Sequence, residues 1–560
     1  MTELLYVLCY LERTMHGIAP TRGAFIPTLI LLLNLLILSL IPASAKSISN
    51  ITNSSTLFYL QQAYGKKVQV KTKVNKQSTF STKSFKANKF NKTNLFKSKS
   101  FYNSKAAQKQ FQVQFKVGNS YNVQQFGAKG DGITDDQNAI NQAIARATGT
   151  GLSVYFPPGN YLHSGLIVSN GVALFGAGVS TTLTATNNTI GAIKLTGNDP
   201  SVSSMVVQYA SPATAPGTTI PPYSMPQSGA IWVQSATTFV ISRVTILNSS
   251  ENDIDIFQSS NGTVSYTLMV TSNTMYDGMQ IVDCNNVQVV NNNLQFSGQD
   301  AGMNVYLVTT GSQNLTIAYN QIQLSPLAPS NAYSLFMTGL QSSRVKYNTM
   351  IDNSTTNHSV YIHGDSSGPV SNLEIAGNTV HGNGNDTIIY VQDDSSTGSF
   401  ANGVQITNNS VSNCFWAVGT YIGNNLNISS NTIINAQYPI YCGIYGNNNN
   451  VSNNVINTNS DSSYPDYYAI YLYGSSPYDF DMNVSSNTIT NSQICMALGS
   501  FGNLHVSSNV INTVTASDGI NVSDISTLTI ENNTLNNIFN NGIFFDAGGL
   551  YHYFCNNFQQ

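Results

Sequence analysis

Residues 482–489 read MNVSSNTI, and nearly the same string returns as LNISSNTI at residues 426–433 and as VQITNNSV at residues 404–411. Each copy places apolar side chains at alternate positions, and an asparagine follows three positions after the second of them. This alternation is typical of a β-strand with one buried face, and asparagine tolerates the left-handed backbone of a tight turn. The stretch therefore predicts a short strand followed by a turn.

The motif recurs from residue 268 towards the end of the chain. Eleven copies align on one asparagine, and neighbouring copies are 19 to 33 residues apart, with a mean of 26. Short strands at this period predict a solenoid whose stacked coils share one core and bring equivalent side chains together. The aligned asparagines are predicted to stack into a ladder along the axis. They are Asn273, Asn292, Asn320, Asn348, Asn378, Asn409, Asn431, Asn454, Asn487, Asn509 and Asn533.

The segment ahead of the repeats has a different pattern. It begins YNVQQFGAKGDGITDDQNAINQAI at residue 121 and continues into SVYFPPGNY. The repeats resemble the pectate-lyase-like superfamily, and residues 121–185 resemble the N-terminal module of rhamnogalacturonase and polygalacturonase-like proteins. The resemblance implies an all-β fold over residues 117–560, a right-handed parallel β-helix with a short N-terminal capping helix.

Three aspartates of this segment, Asp131, Asp135 and Asp136, are interpreted as structural rather than catalytic. Thr134 or Asp135 is predicted to cap the helix that follows. The helix is expected to close the first coil and to cover its strand edges. Its buried face is predicted to consist of Ala139, Ile140, Ala143 and Ile144.

The distribution of charge divides the chain into two parts. Residues 46–116 contain 15 lysines and no acidic residue, whereas residues 117–560 contain 24 acidic residues and six basic ones. The basic segment has little apolar content and no period, which predicts a mobile linker. Two interpretations stay open: it binds an anionic cell-surface polymer, or it is a solvated spacer. Specific binding of nucleic acid is not expected.

The N-terminal region predicts export. Residues 25–41 are apolar, follow Arg22 and precede Ala43-Ser44-Ala45, which is the order of a secretory signal cleaved after Ala45. The alternative for residues 1–45 is an uncleaved membrane anchor, because an apolar run of this length approaches that of a span. The protein is expected to be secreted or held at the cell surface. Its Asn-x-Ser/Thr sequences, including Asn314, Asn427, Asn483 and Asn532, are then open to glycosylation.

The cysteines that follow the signal carry no recognisable bonding pattern. They are widely spaced and form no CxxC pair, so neither a disulfide framework nor a zinc site is predicted. We expect them to be buried as small apolar residues. They are Cys284, Cys414, Cys442, Cys495 and Cys555.

Chemistry is predicted at the aspartates with which successive coils begin. The strand openings END-IDIF, MYD-GMQI and GQD-AGMNV align Asp253, Asp277 and Asp300 at steps of 24 and 23 residues. Because adjacent coils lie about 4.8 Å apart, these carboxylates are predicted to have the spacing of a glycosidase acid and base. Crowding raises the pKa of one carboxyl, which keeps it protonated. The alternative is a ladder of turn-capping aspartates without a catalytic role.

The resemblance to polygalacturonases implies further residues of the site. Asp277 stands where the family has an Asn-Thr-Asp strand, and Asp300 stands where it has an Asp-Asp pair. Arg344-Val345-Lys346 resembles the family's Arg-Ile-Lys motif, and His363-Gly364 is the nearest counterpart of its Gly-His-Gly motif, although the order of the two is reversed. The residues implied to bind substrate are Tyr276, Arg344, Lys346 and His363.

Three functions stay open on the sequence alone. The first is a polysaccharide hydrolase that uses Asp277 and Asp300, assisted by Asp253, and needs no metal or other cofactor. The second is a lyase or uronate epimerase, for which Ca²⁺ would neutralise the substrate. The third is a non-catalytic adhesin or structural solenoid. A polysaccharide is the expected partner, and the protein is expected to be a monomer.

The acidic character of residues 117–560 bears on the choice of polysaccharide. A net charge of −18, from 24 acidic and six basic residues, repels a polyuronate unless calcium or acid neutralises one of them. A neutral glycan is easier to accommodate. The tyrosines of residues 463–480 are predicted either to stack on sugar rings or to stack within the coil.

Overall fold

A computed structural model of the protein describes thirteen ranges of the chain. The predicted signal or anchor of residues 1–45 and the basic linker of residues 46–116 lie outside them. No helix within the described ranges is long and apolar enough to cross a membrane. The ranges are 120–212, 229–271, 276–308, 311–329, 332–353, 358–364, 368–384, 387–393, 401–458, 468–474, 480–546, 550–554 and 556–559.

The strands wind through about 14 turns, and every strand pairing between neighbouring coils is parallel. Each complete coil contributes a strand to each of three parallel sheets, which we name face 1, face 2 and face 3 in their order along one complete coil. The predicted all-β parallel β-helix is confirmed.

Face 1 carries the candidate site. Its strands are β5 (Leu166–Ser169), β8 (Ile193–Asn198), β10 (Ile231–Thr237), β12 (Ile254–Phe257), β15 (Met279–Val282), β18 (Ala301–Tyr306), β21 (Tyr333–Thr338), β24 (His358–Gly364), β27 (Thr387–Asp393), β34 (Tyr468–Gly474) and β41 (Ile543–Asp546).

Face 2 begins with the first strand of the described chain. Its strands are β1 (Ser120–Asn122), β3 (Ser153–Phe156), β6 (Ala173–Gly176), β13 (Thr263–Ser265), β16 (Gln288–Val290), β19 (Thr316–Ala318), β22 (Arg344–Lys346), β25 (Glu374–Ala376), β28 (Gln405–Thr407), β30 (Asn427–Ser429), β32 (Asn449–Ser452), β35 (Asp481–Ser485) and β42 (Leu550–Phe554).

Face 3 completes the coil. Its strands are β2 (Asp131–Asp135), β4 (Gly159–His163), β7 (Thr181–Ala185), β14 (Leu268–Val270), β17 (Asn293–Phe296), β20 (Gln321–Leu324), β23 (Thr349–Asp352), β26 (Thr379–His381), β33 (Val455–Asn457), β36 (Thr488–Ser492), β38 (Val510–Val514), β40 (Thr534–Ile538) and β43 (Asn557–Gln559).

Six longer strands pass without interruption from one face to the next. β9 (Ser201–Tyr209) and β11 (Val240–Leu247) join faces 2 and 3, β29 (Ser410–Ile422) and β31 (Thr432–Ile444) join faces 3 and 1, and β37 (Ile494–Ser507) and β39 (Ile520–Glu531) join faces 1 and 2.

The core follows from the alternation seen in the repeat. Ile406, Ile428 and Val451 are fully buried at equivalent positions of β28, β30 and β32, and their neighbours along each strand point outwards. Stacking these side chains over one another builds a single apolar core along the axis. Burial of each isoleucine or valine contributes about 1.5–3 kcal/mol, so the coils stabilise one another mainly through this column.

The predicted asparagine ladder is confirmed from Asn292 to Asn556. Each side-chain oxygen accepts hydrogen bonds from the backbone and side-chain amides of the asparagine one coil earlier, as Asn409 does from Asn378 at 3.0 Å and 3.0 Å. The same pattern starts at Asn292 and ends on Asn556. The side-chain amide also donates to a backbone carbonyl of the preceding coil, as Asn409 does to Ile375 at 2.9 Å. The ladder therefore satisfies the buried amides at every turn.

The alignment of the first repeat copy is wrong. Leu268 pairs with Asn293, so LMV of residues 268–270 is a face 3 strand and not the strand that precedes the ladder asparagine. In the coil before that of Asn292, Thr267 occupies the ladder position, and its backbone N–H donates to the Asn292 side-chain oxygen at 2.9 Å. Asn273 lies outside the described residues.

The capping helix, α1, spans Gln137–Ala147 and packs against β1 and β3. Ile140, Ala143 and Ile144 are buried as predicted, whereas Ala139 is only partly buried. The N-cap residue is Asp136 rather than the predicted Thr134 or Asp135. Short 3-10 helices also occur at Val123–Phe126 and Gly178–Ser180.

Hydrogen bonds support the structural interpretation of the three early aspartates. Asp136 accepts from the backbone N–H groups of Lys129 and Gly130, at 2.6 and 3.0 Å. Asp135 accepts from the N–H of Gln137 at 3.0 Å. Asp131 accepts from the N–H groups of residues 133 and 134, at 2.9 and 2.8 Å. All three carboxylates thus hold the turn that leads into α1.

The described cysteines behave as predicted. Cys284, Cys414, Cys442 and Cys495 are buried and form no disulfide. Cys555 lies outside the described residues. The described coils are therefore held together by packing and hydrogen bonds.

Candidate functional site

The three predicted aspartates do not occupy one register position. Ile254 pairs with Met279, so Asp253 stands beside Gly278, one residue past Asp277. Met279 pairs with Met303, which places Asp277 beside Ala301 and Asp300 one residue earlier. The predicted column is wrong by one residue at each step. The turns that lead into face 1 differ in length, so spacing counted along the chain does not give the register.

Asp277 and Asp300 are nevertheless brought together, and we call them the acid pair. The side-chain amide of Asn304 donates to Oδ2 of Asp277 at 3.2 Å and to Oδ2 of Asp300 at 3.3 Å. The two oxygens therefore lie no more than about 6.5 Å apart, the sum of these distances. That upper limit coincides with the lower end of the separation, about 6.5–9.5 Å, at which an inverting pair of carboxyl groups leaves room for a water molecule.

The two members of the acid pair differ in environment. Asp277 exposes 0% of its surface, and this burial, together with the charge of Asp300, raises its pKa well above the ordinary value. Asp300 is partly exposed, and its burial raises its pKa to about 6. At neutral pH the arrangement therefore favours a protonated Asp277 beside an ionised Asp300.

Asp277 also has a structural contact. Its Oδ1 accepts from the backbone N–H of Ala301, on the next coil, at 3.0 Å. One coil earlier, the side-chain oxygen of Asn252 accepts in the same way from the N–H of Asp277 at 2.8 Å. Asp518 makes an equivalent bond to the N–H of Asn541. The predicted turn-capping role is thus present at Asp277, where it occupies one oxygen and leaves the other facing Asn304.

Two tyrosines adjoin the acid pair. Tyr276, implied by the resemblance, is 41% exposed, and burial and the charges of Asp300 and Asp277 raise its pKa to about 12. Tyr333, which the sequence did not identify, donates its backbone N–H to the Asp300 carbonyl at 2.7 Å. Burial and Asp300 also raise the pKa of its phenol. Both phenols are uncharged at neutral pH.

Asp253 lies beside another buried carboxyl, Asp255, on the coil before Asp277. Ser249 donates to Asp253 and Asn252 donates to Asp255, each at 2.6 Å, and the second oxygen of each carboxyl accepts no hydrogen bond in the described structure. Burial raises the pKa of each to about 8. A β-carbon at Gly229 would lie 2.1 Å from an Asp255 oxygen, so a larger residue there would force the carboxyl to move.

Asp255 is missing from the predicted site, although the sequence carried a signal for it. It stands between Ile254 and Ile256, both of which are buried in the core. Alternation along the strand therefore points the Asp255 side chain away from the core and onto the outer surface of face 1.

Arg344 and Lys346 do not belong to this site, and the implied role in substrate binding beside the acid pair is wrong. Both lie on β22 of face 2. Arg344 Nε lies 3.5 Å from Glu374, and Lys346 Nζ lies 2.6 Å from the same carboxylate. Val345 between them packs into the core, so both basic side chains point outwards from face 2.

His363 is on the correct face but not in contact with the acid pair. It lies on β24, two strands beyond β18, which corresponds to about 10 Å along the axis. Its ring stacks beside that of Tyr361, with 6.2 Å between the ring centroids. The implied direct role with Asp277 and Asp300 is therefore not supported by the geometry.

The carboxylates do not converge on a metal position. No group of three His, Cys, Asp or Glu side chains in the described ranges has the arrangement needed to hold a metal ion.

Beyond Asn304, the outer surface of face 1 becomes aromatic, which the sequence did not predict. Asn304 is in register with Phe336, and the following coils present Tyr361, Tyr390, Gly419, Tyr441 and Tyr471 at the same position. Tyr390 and Trp416 fill the space beside Gly419, where a β-carbon would meet their rings at 2.7 and 3.4 Å. We call these side chains the aromatic row: Phe336, Tyr361, Tyr390, Trp416, Tyr441 and Tyr471.

Neighbouring rings of the aromatic row stack along the axis, except Tyr390 and Trp416, which are tilted by 33° with 6.3 Å between their centroids. Centroid distances are 5.5 Å between Tyr361 and Tyr390, 5.0 Å between Trp416 and Tyr441, and 4.8 Å between Tyr441 and Tyr471. Tyr471 belongs to the tyrosine-rich stretch, and its ring therefore stacks on the neighbouring coil. Residues 463–467 and 475–479 of that stretch lie outside the described residues.

Known protein families that match the sequence have the same β-helix fold. The family model described as rhamnogalacturonase A/epimerase, pectate lyase-like matches residues 120–328, and the model of the right-handed β-helix region matches residues 395–558. Alginate lyase 7 of Azotobacter vinelandii is 47% identical over 73 residues, which are 11% of this chain and 8% of that protein. Mannuronan C5-epimerase AlgE4 of the same organism is 40% identical over 97 residues, 15% of this chain and 16% of that protein.

The chain thus matches less than a fifth of the length of these two relatives. Among solved structures, an exopolygalacturonase from Thermotoga maritima has 12% identity and a TM-score of 0.38, with 70% of this chain and 91% of that chain covered. The acid pair lies within the region matched by the first family model. With both family models matching one parallel solenoid, the chain belongs to the pectate-lyase-like right-handed β-helix proteins.

Proposed function

We propose that the protein is a polysaccharide hydrolase in which the acid pair carries the chemistry. The observation that carries this proposal is the shared contact of Asp277 and Asp300 with Asn304, at 3.2 and 3.3 Å. Glycoside hydrolysis needs one carboxyl group that donates a proton and a second that is ionised. Burial raises the pKa of Asp277 further than that of Asp300, and this difference supplies both forms at neutral pH.

In the proposed step, ionised Asp300 accepts a proton from water while the water oxygen bonds to the anomeric carbon. The bond from that carbon to the glycosidic oxygen breaks, and the proton of Asp277 passes to the leaving oxygen. Asp300 takes the part of base because it is the exposed member. Asp277 is covered, so the step requires the bound sugar to displace neighbouring side chains and reach Oδ2. Tyr276, exposed beside both, donates a hydrogen bond to the sugar.

Asp253 has no step in this proposal. In the described structure the Asp253 carboxyl has one hydrogen bond, from Ser249, and none to either member of the acid pair. Export, inferred from residues 25–45, stays a prediction.

Replacing Asp300 with asparagine is expected to reduce the release of new reducing ends at least about 100-fold, because the general base is lost while Asn304 keeps a partner. The assay uses the full chain and a panel of polysaccharides. Asp518→Asn is the matched control, since Asp518 caps a turn on the same solenoid outside the acid pair. Full activity of Asp300→Asn, with unfolding midpoints equal in all proteins, would refute the assignment.

The rate should also depend on pH in a defined direction. Because burial raises the pKa of Asp300 to about 6, the base becomes competent as pH rises through that value. The rate at saturating polysaccharide is therefore expected to increase from about pH 5 to about pH 7. A rate that instead falls across this interval would mean that Asp300 acts as the proton donor.

A lyase or epimerase is the second candidate, and the similarity to alginate lyase 7 over 73 residues favours it. Both reactions remove a proton beside a uronate carboxyl, and Tyr276 is the exposed group near the acid pair that can accept it. The pKa of about 12 makes its phenolate costly, which is why we rank hydrolysis first. An unsaturated sugar that absorbs in the ultraviolet would identify a lyase. Binding without any product would instead indicate a non-catalytic adhesin.

A further inference from the structure

A cleft of about 620 Å³ lies beside the aromatic row, in coils beyond the acid pair. Its wall is formed where the chain passes from face 3 to face 1, which is also where Asp277 and Asp300 lie on earlier coils. We call it the amide cleft, because side-chain amides dominate its lining. The lining residues used below are Asp352, His381, Asn383, Asn413, Asn435 and Gln437.

The lining of the amide cleft offers paired donors and acceptors. Each asparagine or glutamine amide both donates and accepts, which matches the hydroxyl groups of a sugar. Asn413 donates towards Nε2 of His381 at 3.2 Å, and Asn435 donates to Asn413 at 3.3 Å. These contacts position the amides along successive coils.

Two polar atoms at this place have no hydrogen-bond partner in the described structure. They are Oε1 of Gln437, in the amide cleft, and Nε1 of Trp416, in the aromatic row, and both atoms are buried. Trp416 is in register with Tyr438, the residue after Gln437, so the two atoms belong to adjacent coils. An unsatisfied buried polar atom costs about 1–3 kcal/mol, and a hydroxyl-bearing ligand that reaches it recovers this energy.

The geometry of the aromatic row limits how a ligand can use it. Each ring of the Trp416, Tyr441 and Tyr471 run stacks on its neighbour at 4.8–5.0 Å, so the faces of the central ring are covered. The ring edges and phenol groups remain, at a repeat similar to the length of one sugar unit. Contact along the axis through hydroxyl groups is therefore favoured over stacking on the flat face of a sugar.

The charge of this surface selects against acidic glycans. Neither the aromatic row nor the lining of the amide cleft includes a lysine or arginine. Asp352 in the lining is an acid, and the basic pair Arg344 and Lys346 is engaged by Glu374 on face 2. Burial raises the pKa of Tyr441, which keeps its phenol uncharged. A uronate carboxylate meets no fixed positive charge here.

We propose that the amide cleft and the aromatic row bind an uncharged, linear stretch of glycan that runs along the axis from the acid pair. The link to cleavage rests on the proposed hydrolase function, whereas the binding itself does not. Recognition thus extends over coils that take no part in the chemistry.

The two tryptophans of the protein make the proposal measurable. Trp232 is in register with Asp255 near the acid pair, and Trp416 belongs to the aromatic row. Uncharged hexasaccharides of glucose, xylose and mannose are each titrated into the full chain carrying Asp300→Asn. Hexagalacturonate is titrated in the same way for comparison. Adding Trp232→Phe leaves Trp416 as the sole tryptophan, whose fluorescence is followed with excitation that tyrosine does not absorb. At least one uncharged hexasaccharide is expected to change its fluorescence saturably, and to bind at least tenfold more tightly than hexagalacturonate.

Two variants test the assignment of the amide cleft. Gln437→Ala is expected to weaken binding of the uncharged hexasaccharide about tenfold, because it removes an amide that faces the ligand. Gln323→Ala is the matched control, since Gln323 is exposed on β20 of face 3 and should bind as the parent does. Unfolding midpoints establish that both variants are folded.

The possible results separate this inference from the proposed function. Unchanged affinity in Gln437→Ala, equal affinity for hexagalacturonate, or no binding of any uncharged hexasaccharide would each overturn the inference, even if Asp300→Asn abolishes cleavage. Weakened binding in Gln437→Ala, together with unimpaired cleavage by Asp300→Asn, would sustain the inference and defeat the catalytic assignment.

Discussion

Replacing Asn409 with alanine is expected to lower the free energy of unfolding by about 4 kcal/mol. Asn409 is 1% exposed, and its oxygen accepts from both amides of Asn378 at 3.0 Å. Its own amide donates to the Ile375 carbonyl and to Asn431, at 2.9 and 3.0 Å. Alanine removes these four bonds and leaves two donors of Asn378 without an acceptor. Each buried polar group left unpaired costs about 1–3 kcal/mol.

Asn427→Ala is the matched control for the ladder. Asn427 lies on the next coil, half-buried on the outside of face 2, where its amide donates to Gln405 at 2.9 Å and its oxygen accepts from Asn450 at 2.8 Å. Water can replace both bonds, so the expected loss is below about 1 kcal/mol. Urea unfolding of protein produced without glycosylation compares the two. Equal losses of unfolding free energy in the two variants would contradict the prediction that the buried ladder asparagine stabilises the fold more than the half-buried one.

Stability is expected to fall as pH rises from about 4 to about 8, because Asp253 and Asp255 are buried in the folded protein. Burial raises the pKa of each to about 8, against 3.8 as the ordinary value, so the folded state holds protons that the unfolded state releases. The stability that these two protonated carboxyls contribute is fully present below about pH 4 and is lost as pH rises through about 8. At pH 8 the penalty is on the order of several kcal/mol for each group.

Asp255→Asn should therefore raise the free energy of unfolding at pH 8 and leave it nearly unchanged at pH 4. The asparagine has the same shape, carries no charge and keeps a contact with Asn252. Unfolding midpoints measured from pH 4 to pH 9 for the parent, Asp255→Asn and the exposed-site control Asp481→Asn provide the comparison. A parent whose stability does not change across this window would contradict the prediction, as would an Asp255→Asn variant that is less stable at pH 8.

The solenoid is predictable from the sequence because each sequence repeat corresponds to one coil of the structure. The asparagine that recurs at residues 378, 409 and 431 is the group that the ladder bonds from one coil to the next. The register of the aspartates was not predictable in the same way. Asn252, rather than Asp253, stands beside Asp277, since the turns into face 1 vary in length while the ladder stays in register.

The position of Arg344 and Lys346 on face 2, away from the acid pair, is predictable from the sequence. Val345 stands three positions before ladder residue Asn348, as Ile317 does before Asn320, and this spacing alone assigns Arg344 and Lys346 to face 2. The aromatic row had no comparable signal. Phe336, Tyr361 and Tyr390 are separated by 25 and 29 residues, and only the strand pairing shows that they share one position.

Successive ladder asparagines are separated by as few as 22 residues and by as many as 33, yet their hydrogen bonds are all close to 3 Å. The protein therefore tolerates length changes between faces without disturbing the stack. In evolutionary terms, each coil is an exchangeable module whose ends already fit its neighbours. Gene duplication or loss of one such unit lengthens or shortens the solenoid and moves a binding surface towards or away from the acid pair by one strand spacing, about 4.8 Å.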